Sequence, residues 1–126
     1  MLEFFDSDDR VGTVTFYDRH LLLNSKLIKY FEEAYKVRIG LDKELNEVYV
    51  FPLDKDHALS GEIKESSLLS LSVSKSYVRI ASKQLIEFLS NAFGLVINKG
   101  DSIQFKGYFD DKKKCLIIDM GGKKNA

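Results

Sequence analysis

The sequence is poor in the residues that build covalent staples and reactive centres. It holds one cysteine, Cys115, so no disulfide can form within the chain. Its two histidines, His20 and His57, stand far apart in sequence, and no glycine-rich phosphate loop, nucleophile elbow or paired-histidine helix motif occurs. The reading is a non-enzymatic protein without cofactor or metal. The acidic start at Asp6, Asp8 and Asp9 lacks the ligand ladder and glycine turn of a calcium loop, and reads as a solvated end. It is also unlike the basic front of a secretory signal, so a cytoplasmic location is expected. No apolar run approaches the roughly 18 residues of a bilayer-spanning helix, which argues against a membrane partner. Net charge is absent as well, 19 Lys and Arg balancing 19 Asp and Glu.

What is present is enough apolar matter for one core. The 126 residues are 44% hydrophobic and 12% aromatic, sufficient to offset ordering entropy in one compact domain and too few for two. The zero net charge conceals an asymmetry. Residues 1 to 63 carry 8 basic against 13 acidic side chains, net −5, and residues 64 to 126 carry 11 against 6, net +5. A polyanionic partner for the second half would account for this, and so would association of opposite halves in a homodimer or with another protein.

The chain also repeats itself. Leu27-Ile28-Lys29-Tyr30-Phe31-Glu32-Glu33-Ala34-Tyr35 returns 58 positions later as Leu85-Ile86-Glu87-Phe88-Leu89-Ser90-Asn91-Ala92-Phe93, with every apolar position kept. Both segments show the i, i+3, i+4, i+7 stripe of a helix with one buried face, the first capped by Asn24 and the second by Ser82, with Gly94 as a left-handed C-cap. Around the first lie strands at Val11–Tyr17 and Leu21–Leu23 and a hairpin of Val37–Leu41 with Glu47–Phe51, closed before Pro52. Around the second lie an alternating strand at Leu69, Leu71 and Val73, a short strand at Tyr77–Ile80, and a hairpin of Ile103–Phe109 with Cys115–Met120. Residues 121–126 read as a frayed tail. The expected fold is α+β: a mostly antiparallel β-barrel or sheet built from two tandem β-β-α-β-β repeats with pseudo-twofold symmetry. Repeat one covers about 11–53, a connection 54–67, and repeat two about 68–120.

Three stretches of the second repeat carry a family resemblance: Val78-Arg79-Ile80-Ala81-Ser82-Lys83-Gln84-Leu85-Ile86, then Phe93-Gly94-Leu95, then Asn98-Lys99-Gly100-Asp101-Ser102-Ile103-Gln104-Phe105 before a hairpin ending in Leu116-Ile117-Ile118. This resembles the swapped-hairpin element of the AbrB and MraZ families, the latter with two tandem copies. Ala81-Ser82 stands where those families usually have a proline. The resemblance implies DNA binding in transcriptional control.

Phosphate contacts need cations along one surface. The candidates are Lys75, Arg79, Lys83, Lys99, Lys106, Lys112, Lys113 and Lys114. Arg79 is singled out because the family's basic residues in this strand-to-helix region point at DNA and arginine alone offers a planar fork for guanine. Tyr17, Tyr77 or Tyr108, if exposed, could stack bases of a single strand. Cys115 reads as a small buried apolar residue. The rival reading is a protein-interaction module, or a small inhibitor of another protein, using an exposed strand edge.

Overall fold

The computed structural model describes residues 10–124. Among them, nine strands form one sheet in which every pairing is antiparallel, in the order β5-β3-β4-β9-β8-β1-β2-β7-β6. The strands are β1 (Val11–Phe16), β2 (His20–Leu23), β3 (Lys36–Asp42), β4 (Glu47–Leu53), β5 (Leu68–Leu69), β6 (Ser72–Val73), β7 (Val78–Ala81), β8 (Ile103–Asp110) and β9 (Cys115–Lys124). The outermost strands, β5 and β6, are joined by only Ser70 and Leu71. Three Cα steps span at most about 11 Å, so the sheet must curl until its two edges nearly meet. That curl makes it barrel-like, and its mostly antiparallel character agrees with the expected fold class.

Alternation along the strands fills the interior. Val14 and Phe16 of β1, Leu21 and Leu23 of β2, Val48 and Val50 of β4, Val78 and Ile80 of β7, Phe105 of β8, and Leu116 and Ile118 of β9 are all fully buried. Phe16 meets Phe105 edge to face, ring centroids 4.9 Å apart. Each of these large side chains contributes about 1.5–3 kcal/mol on leaving water, so the interior is the main source of stability.

α1 (Lys55–Ala58) is one turn within the connection, and α2 (Lys83–Phe93) is the principal helix. Ser82 caps α2 by accepting the Leu85 N–H at 3.1 Å, and Gly94 ends it with φ 65°. The helix lays Leu85, Ile86 and Leu89 on the core. Among the described residues no helix is long and apolar enough to cross a membrane.

The first copy of the repeated segment departs from expectation. It forms a six-residue 3₁₀ helix, Ser25–Tyr30, not a long α-helix, and Asn24 makes no side-chain cap bond. Only five residues separate its end from β3, and Tyr35 already donates its N–H to the Leu53 carbonyl at 2.8 Å. Nine residues separate α2 from β8, so the second helix has slack that the first lacks. Phe31 and Tyr30 are instead drawn onto Phe109, Tyr30 stacking at 4.2 Å.

Three further corrections concern strands. The alternating segment Leu69–Val73 is split, because β5 pairs with β3 and β6 with β7; Val73 is consequently exposed. Pro52 lies inside β4 opposite Val37, tolerated because β9 follows β4 only from Glu47 to Val50, so the missing N–H deprives β9 of nothing. The supposed tail continues β9 through Lys124, with Gln104 and Lys124 paired beyond a bulge. Asp6, Asp8 and Asp9 lie outside the described residues.

Candidate nucleic-acid interface

β2 and β7 run side by side with Leu22 opposite Arg79, and β6 places Ser72 on the other side of Arg79. Since Val78 and Ile80 point inward, Arg79 points outward, exposed and without an acidic cross-strand neighbour. His20 lies on the same outer wall, its ring stacked on Tyr17 at 4.5 Å. Partial burial holds the His20 pKa below its ordinary value, the Arg79 charge lowers it further, and Asp18 opposes both. The imidazole is therefore neutral near pH 7, and Arg79 supplies the cation there. The Ser82 N–H donates to the Arg19 carbonyl at 3.0 Å, which brings Arg19 beside the start of α2. Lys83 stands there too, its ammonium 3.9 Å from Glu87 in an exposed pair that leaves it open to other anions.

Lys106 occupies the same wall three strands away. Its neighbours are Thr13 on β1 and Asp119 on β9. Arg79 is level with Gln104, two residues from Lys106, so three strand spacings of roughly 4.8 Å and two residue rises put Arg79 and Lys106 about 16 Å apart along the sheet.

The other predicted cations sit on the barrel's rims. Lys75 lies in the turn before β7, where the Ser74 hydroxyl oxygen accepts the Ser76 and Tyr77 N–H groups, each at 3.1 Å. Lys112, Lys113 and Lys114 lie in the turn after β8. There Asp110 accepts the Lys112 and Lys113 N–H groups at 2.9 and 3.1 Å, and Lys114 adopts φ 57°. Because β7 begins where β2 and β8 end, these two turns share one rim. Lys99 precedes β8 and belongs with Lys83 at the opposite rim. The eight residues of β8 separate the rims by about 24 Å. All eight predicted cations are exposed, but they divide into one rim of four, another of two, and the wall pair Arg79 and Lys106.

Sequence reading passed over Arg19 and Lys26, which the fold brings to the same surfaces. The turn residues Asp18-Arg19-His20 were a usable signal for the first, since a basic residue in a tight turn between two strands is solvent-facing. Of the tyrosines, Tyr77 and Tyr108 are exposed (38% and 40%), while Tyr17 is half-buried against His20. Tyr108 belongs to a cross-strand row, Tyr49–Ile117–Tyr108–Val11, in which Ile117 is buried. The Tyr49 hydroxyl donates to Glu47 at 2.7 Å, and that bond pushes its pKa up to about 12.

Three other titratable groups, Asp54, His57 and Cys115, are set by their local surroundings. Asp54 caps α1, accepting the His57 N–H at 2.8 Å, and lies 2.7 Å from the His57 ring nitrogen. These contacts hold Asp54 below and His57 above their ordinary values. Cys115 is buried, which raises its thiol pKa. Among the described residues no group of three or more His, Cys, Asp or Glu is placed to hold a metal ion. Among the described residues the outer surface carries exposed cations and tyrosines together with exposed carboxylates, Glu87, Asp111 and Asp119 among them. No protein-family model, curated protein or solved structure matches this chain.

Proposed function

We propose that this chain is a non-enzymatic DNA-binding protein of the cytoplasm, a swapped-hairpin barrel of two tandem repeats resembling the AbrB and MraZ families. The observation that carries the binding reading is Arg79, exposed on the barrel wall between Leu22 and Ser72, with Lys83, Arg19 and Lys106 on the surfaces around it. Guanidinium and ammonium groups spread over a curved wall displace counterions from a polyanion.

The duplication is supported by the strand pairings. Exchanging β1 with the β5–β6 segment, β2 with β7, β3 with β8 and β4 with β9 turns the set of pairings into itself. Each hairpin then pairs with the other repeat's hairpin, β4 on β9, and with the other repeat's first strand. The turns agree as well. Asp42 accepts the Glu44 and Leu45 N–H groups as Asp110 accepts those of Lys112 and Lys113, and Asn46 and Lys114 share positive φ values of 54° and 57°. The Tyr17–His20 and Ser74–Tyr77 turns close with the same 2.9 Å backbone bond.

Fluorescence anisotropy of labelled duplex and single-stranded DNA, at low and physiological salt, tests the reading. Binding should weaken steeply with salt, log K falling by about 0.9 per phosphate contacted. Arg79→Ala should weaken binding at least several-fold, within the roughly 1–3 kcal/mol of one good base or phosphate contact, and leave thermal stability unchanged. Absence of binding at low salt refutes the function; equal affinity of the variant removes Arg79 from the site.

The interaction-module alternative depends on free strand edges. Here β5 and β6 cover part of each, leaving Lys36 and Ile39–Asp42 of β3, Phe51–Leu53 of β4 and Ile80–Ala81 of β7 without a strand on one side. Such short edges favour the nucleic-acid reading.

A further inference from the structure

A small cleft of about 140 Å³ opens where β1, the 3₁₀ helix and β8 meet, lined by Val11, Gly12, Thr13, Asn24, Lys26 and Lys106. We propose that this cleft binds a phosphate group of the nucleic-acid backbone, with Lys26 and Lys106 as its cations and Thr13 and Asn24 as its neutral donors.

Three observations lead there. First, two ammonium-bearing chains from separate elements line the cleft, and among the described residues no carboxylate does. Asp119 is the cross-strand neighbour of Lys106 on the β9 side, away from Thr13, and its carboxylate accepts the Gly121 N–H at 3.0 Å. Second, Asn24 stands at the helix-capping position yet makes no capping bond. Its Oδ1 is buried without a hydrogen-bond partner, and it fits only because Gly12 has no Cβ: one would stand 2.5 Å away. An orphaned acceptor costs about 1–3 kcal/mol, so local structure does not explain this side chain's placement. With Oδ1 turned inward, the amide nitrogen is the arm left to donate to an anion in the cleft. Third, the cleft lies on the wall that carries Arg79, so one polyanion could engage both. The 3₁₀ helix is too short to contribute a useful dipole; what it supplies is Lys26.

This proposal rests on the DNA-binding reading, and the two fail separately. The probe is fluorescein-labelled duplex DNA, with the Lys26→Gln/Lys106→Gln double variant compared with Lys55→Gln/Lys64→Gln, which removes equal charge from the connection. If the cleft holds one phosphate, the first variant lowers the slope of log K against log salt by about 0.9 and the second leaves it unchanged. Equal losses from both variants, or none from the first, overturn the cleft while the function stands. If the wild type binds no DNA, the function falls, and titration with inorganic phosphate decides the cleft. Saturable shifts of the Asn24 side-chain amide and Thr13 backbone amide resonances would establish a free-phosphate site; unmoved resonances would overturn it.

Discussion

Gly12→Ala puts the packing of the 3₁₀ helix on β1 to a direct test. An added Cβ would stand 2.5 Å from Asn24 Oδ1, 2.6 Å from Leu27 Cγ and 3.0 Å from Leu27 Cδ1. Leu27 is fully buried and cannot swing into solvent, so either the 3₁₀ helix must lift off β1 or the side chains must leave their rotamers. Overpacking of this kind costs about 1–3 kcal/mol. Against it stands a gain of roughly 0.4–1 kcal/mol from restricting the unfolded chain. The net expectation is a loss of about 1–2 kcal/mol, a fall in Tm of roughly 4–8 °C for a domain of this size. Urea unfolding followed by far-UV circular dichroism suits a protein without tryptophan. The midpoint should drop at constant m value. Gly40→Ala is the control, since a Cβ there meets nothing within 4 Å and only the entropic gain remains. In addition, Leu27→Ala should relieve part of the clash, so the double variant should be more stable than the sum of single effects predicts. A Gly12→Ala protein as stable as Gly40→Ala would refute this account of how the 3₁₀ helix seats on β1.

Three other perturbations test separate parts of the fold. Lys114→Gly should stabilise the β8–β9 turn by about 1 kcal/mol, because a side chain other than Asn or Asp is strained at φ 57°; Asn46→Gly should gain less, and equal effects in urea titrations would contradict the strain argument. The Cys115 thiol, buried and with a raised pKa, should resist a colourimetric disulfide reagent near pH 8 until the protein is unfolded; rapid reaction of the native protein would show that β9 opens. The Lys113 N–H, with that of Lys112, holds the Asp110 carboxyl below its ordinary 3.8, so its contribution is complete above that pH and is lost as pH falls through the lower folded value. Urea unfolding between about pH 2 and 6 should find Asp110→Asn less stable than wild type at the upper end, with the gap narrowing as pH falls below 3.8; a constant gap would place the effect elsewhere.

The parts of this fold legible in the sequence are those fixed by near neighbours. α2 was readable because Ser82, the apolar stripe and Gly94 lie within thirteen consecutive residues and all specify one helix. Both hairpins were readable for the same reason, each turn being set by an aspartate four residues before a left-handed position. The first helix was misread because an equally good stripe is overruled by distant geometry: β3 must begin five residues later, and Phe109, near the other end of the chain, takes Tyr30 and Phe31. The break at Ser70–Leu71 was invisible likewise, since nothing local tells an alternating segment that its ends belong to opposite edges of one sheet.

The candidate surface divides along the same line. Residue type was enough to nominate Arg79 and Lys106, but the partners that give each its setting come from register. Arg79 comes within electrostatic range of His20 only through the pairing of β2 with β7, and Lys26 lines one cleft with Lys106 only because Gly12 lets the 3₁₀ helix approach β1. A glycine in a strand is ordinarily a weakness. Here it is the condition for a cation from the acidic first half to line one cleft with a cation from the basic second half, so the charge asymmetry between the halves does not confine basic surface to the second half.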